Sequence, residues 1–221
     1  MARKIILSII VTSFLLIPAQ SSAQEKTALV NPEQYLFPAF NTGKVGMKNG
    51  RELKVILNYN IVTEKIVFMQ KGQIFDMTDI VNVDTVTLLD KKFIPAGKGF
   101  MEIADSGKYT LLFQHLGKIE TPPRPAAYGG TSEVSSSTYM NNVQMGNEIY
   151  RLQNDTELII KREVIYWIKT SDKLEFFLNE KQLVRILPDL KDQIRLFIKQ
   201  NHLKFDDPMN VIKLISYCNT L

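Results

Sequence analysis

One cysteine, two histidines and one tryptophan in 221 residues exclude several kinds of chemistry at once. With Cys218 alone, no internal disulfide forms and no paired-cysteine zinc or redox motif exists. His115 and His202 each lack a second His, Cys or carboxylate at ligand spacing, and neither H-E-x-x-H nor D-x-D-x-D-G occurs. No metal and no cofactor is therefore expected. Nucleotide fingerprints of the G-x-G-x-x-G or G-x-x-x-x-G-K-[ST] kind are missing. So are G-x-S-x-G and, beyond the leader described below, S-x-x-K, so no catalytic nucleophile announces itself and no catalytic residue is assigned. Asp206 and Asp207 look like an acid pair, but they stand before Pro208, where a helix cap is expected. Asp76 and Asp79 flank a short loop with too few ligands for a cation. Cys218 reads as a small apolar member of a helix stripe.

A strong excess of one charge is lacking as well. The formal net charge is +4, and two of those positive charges, Arg3 and Lys4, belong to a secretory leader. Met1–Lys4 is a short basic head, Ile5–Ile17 an apolar run, and Pro18–Ala23 a small-residue tail, so residues 1–23 are expected to be cleaved before Gln24. Removal lowers the formal charge from +4 to +2, which leaves no electrostatic case for nucleic acid. No later run is long and apolar enough to span a membrane, and no cysteine at the cleavage point offers a lipid attachment site. The expected location is exported: periplasm, cell envelope or outside.

Regular patterns fill most of the rest. Over 24–121 short alternating segments follow one another: Val45–Lys48 into the hairpin signal Asn49-Gly50, then Leu53/Val55/Leu57/Tyr59, Ile66–Phe68, Ile74-Phe75, Val83–Leu89, Phe93–Pro95, Phe100–Ile103 and Tyr109–Phe113. Leu158–Ile160, Val164–Ile168 and Leu174–Leu178 resume the pattern, and Gln182–Ile186 reads as one more strand. The period then changes. Leu190, Ile194, Phe197 and Ile198 share one helix face, as do Val211, Leu214, Ile215 and Cys218. The expected class is α+β: a largely antiparallel meander with two C-terminal amphipathic helices, residues 148–221 joining 24–121 in one domain.

Residues 122–147 break every period. Pro122-Pro123-Arg124-Pro125 favours an extended chain, and Ser135–Thr138 a pliant one. Between them Tyr128, Gly129, Gly130, Thr131 and Ser132 place an aromatic ring beside a glycine pair. This segment is either a binding loop presenting Tyr128 or a spacer; the first makes those five residues the candidate site. The order of segments, with Asn41–Gly50, Leu57–Asn60, Ala127–Ser132 and the closing Tyr217-Cys218-Asn219, resembles a group of small secreted proteins of unknown function from Bacteroidetes-type bacteria. That resemblance implies an envelope setting and no assigned activity. It also makes Asp84-Thr85-Val86 similar to an O-glycosylation signal. The function expected is non-catalytic binding of an envelope protein, peptide or glycan. The alternative is a hydrolase whose site is assembled from distant strands.

Overall fold

The structure, a computed structural model, describes residues 32–120 and 159–221. The leader at 1–23, the segment at 122–147 and its five candidate residues therefore lie outside the described residues.

Ten strands form one antiparallel sheet: β1 (Asn41–Met47), β2 (Glu52–Asn60), β3 (Lys65–Gln70), β4 (Gln73–Asp76), β5 (Val83–Leu88), β6 (Lys91–Ala96), β7 (Gly99–Asp105), β8 (Thr110–Glu120), β9 (Ile159–Lys169) and β10 (Leu174–Phe177). Their order is β10-β9-β8-β7-β6-β5-β1-β2-β3-β4. Every neighbouring pair except β1–β5 is also adjacent in sequence, as a meander requires. Three helices follow: α1 (Glu180–Ile186), α2 (Lys191–Asn201) and α3 (Pro208–Cys218). This is the expected α+β class.

Two local expectations need correction. Gln182–Ile186 is helical, not a strand. Asn179 accepts a hydrogen bond from the Gln182 amide at 3.0 Å, and Gln182 Oε1 accepts one from the Leu178 amide at 2.6 Å. This reciprocal cap satisfies free donors at a helix start and outweighs the apolar alternation that follows. Among the described residues α1 is thus a third helix, preceding the two expected at the C-terminus, α2 and α3. Finally, Ile159–Lys169 is a single strand, paired residue for residue with all of β8. The charged run Lys161–Glu163 does not interrupt it, because strand backbones tolerate polar side chains where the sheet meets water.

The register puts Val45, Leu57, Tyr59, Ile66, Val86, Phe93, Leu111, Phe113, Tyr166 and Ile168 on one face. All ten are buried. Helices α1–α3 cover this face over β8–β10, where Leu183, Ile194, Val211, Leu214 and Cys218 join Phe113, Tyr166 and Phe177. Over β1–β7 the sheet covers itself. It rolls until Tyr59 on β2 stacks on Phe93 of β6 at 5.3 Å and donates its hydroxyl to the Phe100 carbonyl at 2.9 Å. Each fully buried Leu, Ile or Phe contributes about 1.5–3 kcal/mol relative to exposure, so both halves of the face hold the roll shut. The same burial raises the Tyr59 phenol far above its ordinary range, with Glu64 and then Glu102 adding to the effect.

Candidate functional site

The roll is closed by one turn. Asn60 is buried, and its Oδ1 accepts from the amides of Val62 and Thr63 at 2.9 and 3.2 Å, which bends the chain at once after β2. The turn ends on Glu64 with φ 58°, a left-handed backbone. Strands β7 and β8 pair only from Glu102↔Phe113 onward. In the gap beyond, the turn inserts: Gly117 donates to the Ile61 carbonyl at 2.8 Å, and Phe100 to the Glu64 carbonyl at 2.9 Å. Gly99 permits this approach, since a Cβ there would stand 2.3 Å from the Glu64 carbonyl oxygen.

Two polar groups flank the inserted turn, one on each side of the sheet. On the inner face, Lys91, Glu102 and His115 meet although no motif joins them. Lys91 Nζ and His115 Nε2 each lie 2.6 Å from a different oxygen of Glu102. Tyr59 and Phe113 pack edge-on against the imidazole at 5.8 and 6.3 Å. Burial alone would raise the Glu102 carboxyl; the hydrogen bonds and charges of His115 and Lys91 prevail and hold it below the usual range. Glu102 and His115 are both buried and Lys91 is half-buried, so this trio joins the two apolar clusters from within.

On the outer face lies a half-open cleft of about 620 Å³, lined among others by Thr63, Glu64, Ile94, Lys98, Met101, Leu112, Gln114, Trp167, Lys169 and Leu174. Gln114 donates to Glu64 Oε2 at 2.6 Å, and Trp167 Nε1 donates to Gln114 Oε1 at 2.8 Å. This chain of hydrogen bonds fixes the indole at the cleft wall, where Phe176 meets it at 5.6 Å. Cleft volumes of this order suit small ligands or one segment of a larger one.

The residues singled out in the sequence divide clearly. His202 adopts the left-handed conformation at the end of α2, and its amide donates to the Ile198 carbonyl. Asp207 caps α3 through the Met209 amide at 2.9 Å. Asp76 pairs with Lys65, and Asp79 accepts from Asn82. Among the described residues no group of three potential metal ligands comes together. Thr85 is half-buried in central strand β5, its hydroxyl 3.3 Å from Asp84. Cys218 is fully buried, which pushes its thiol up to about 11. Glu64, Gln114, Trp167, Glu102 and Lys91 carried no sequence motif. The one usable signal was Glu102, a charge set between the apolar neighbours Met101 and Ile103 in a strand whose hairpin partner holds His115.

Comparison with protein-family models, with curated proteins and with solved structures finds no match.

Proposed function

We propose that this chain is an exported, non-catalytic binding protein whose ligand seats in the outer cleft against Trp167. The observation that carries this reading is the pre-set indole: Gln114 and Glu64 hold it in place before any ligand arrives, which spares the ordering cost of binding. The alternative, a hydrolase, has one carboxylate among the described lining residues of the cleft, Glu64, and its Oε2 is already bonded to Gln114. Acid–base cleavage by paired carboxylates needs a second. Envelope proteins, peptides and glycans are the partners this reading considers. Export rests on the leader pattern at 1–23, and the Tyr128–Ser132 loop stays a second candidate contact.

Trp167 is the only tryptophan of the chain, so its fluorescence reports on the cleft alone. Titration with a panel of envelope-derived peptides and glycans is expected to shift the emission saturably for at least one of them. Trp167→Phe should weaken that ligand about fivefold, as read by calorimetry, because a stacked indole contributes on the order of 1 kcal/mol. A panel that leaves both emission and heat flat would sink the reading.

A further inference from the structure

The floor of the cleft is continuous across five strands. Ile94 on β6, Met101 on β7, Leu112 on β8, Trp167 on β9 and Leu174 on β10 all point to the outer face. With strands about 4.8 Å apart, this row runs for roughly 19 Å. It is apolar throughout. The polar side chains beside it are largely engaged: Glu64 Oε2 accepts from Gln114, and Gln114 from Trp167. A sugar ring asks for several converging donors and acceptors, and here those groups serve one another.

Charge distinguishes the two ends. Lys98 and Glu64 share the end at the β6–β7 turn, where the Glu64 carbonyl meets the Phe100 amide, so that end carries one charge of each sign, although no ion pair joins them among the described residues. Lys169 stands at the opposite end. It is two residues beyond Trp167 on the same face of β9 and across from Leu174. Lys169 is exposed and forms no ion pair among the described residues. An apolar trough that ends at one uncompensated ammonium fits a ligand of one kind.

Resting on the reading of the cleft as a binding site, we propose that its ligand is a free single-chain anionic amphiphile. Its carboxylate sits at Lys169, and its hydrocarbon tail lies along Leu174, Trp167, Leu112, Met101 and Ile94. The trough supplies affinity through buried methylenes, and the lysine orients the chain.

The test is titration of Trp167 fluorescence with sodium dodecanoate below its micelle concentration, beside acetate, dodecyl maltoside and anionic phospholipid vesicles. Saturable binding of dodecanoate is expected. Acetate should leave the emission unchanged, and dodecyl maltoside should bind about two- to fivefold more weakly, the range one exposed charge contact supplies. Lys169→Gln should cost dodecanoate a similar factor while leaving dodecyl maltoside unaffected. Equal binding of the neutral and anionic detergents would overturn the choice of ligand class. So would a response to vesicles alone, which would point to a bilayer surface instead of a free chain. If dodecanoate fails while the peptide and glycan panel moves Trp167, this inference falls and the binding cleft stands. If neither moves it, both fall.

Discussion

Burial pushes the Glu102 carboxyl upward, yet His115 and Lys91 hold it below its ordinary range. Its two oxygens are taken by Lys91 and His115, and removal of the carboxylate strands both partners. Glu102→Gln is expected to destabilise the chain by about 3 kcal/mol, measured by urea unfolding. Because the native carboxyl is held below its ordinary value, its stabilisation is present at pH above the unfolded carboxyl's pKa. It is lost as pH falls through the native one. Unfolding free energy measured from pH 7 down to pH 3 should therefore decline less steeply in Glu102→Gln than in the parent. Parallel slopes would show that the trio does not titrate with folding. At this scale the sequence was only partly legible. Asp207, Cys218 and His202 act locally, through a cap, a helix stripe and a helix end, and local signals revealed them. Glu102 and His115 are joined by strand register, and Glu64 reaches Gln114 only after the sheet has rolled, so no spacing rule could expose either pair.

Among elements, the hairpins were legible because period and turn chemistry agree. Asn49-Gly50 closes β1 and β2 with Gly50 at φ 83°, as a tight hairpin requires. Helix α1 was misread because its seven residues are too few for a helical period to declare itself, and its cap was the stronger sign. The turn at 61–64 was not legible in its role, since its hydrogen-bond partners, Phe100 and Gly117, lie far along the chain. Gly99→Ala tests that role directly. The new methyl would collide with backbone and not with a yielding side-chain end, so the turn must move. The expected cost is about 1–3 kcal/mol in thermal or urea unfolding, together with a changed Trp167 emission, because Glu64 anchors the indole through Gln114. An unchanged melting temperature and spectrum would remove the turn from the cleft's support.

For the whole molecule, the described residues 32–120 and 159–221 belong to one compact unit. Among its described residues, a pair of apolar clusters meets at His115, the first under the helices and the second inside the roll. Cys218 reports on the first. Its thiol is fully buried and raised to about 11 by that burial, so the native chain should resist alkylation at neutral pH. Labelling, followed by mass spectrometry, is expected to track global unfolding in urea. Labelling that runs ahead of the loss of Trp167 signal would mean that the helices detach before the sheet opens.

The inserted turn also ties the cleft to the closure of the roll. Most described strands pair with the next in sequence through short loops, while β1–β5 and β8–β9 close long ones. The turn's bonds to Phe100 and Gly117 likewise join distant stretches. Glu64, and through Gln114 the fixed indole, depend on those bonds, so the cleft exists only where the roll is shut. Whatever occupies it recognises the closed chain alone, and by mass action it holds the roll closed.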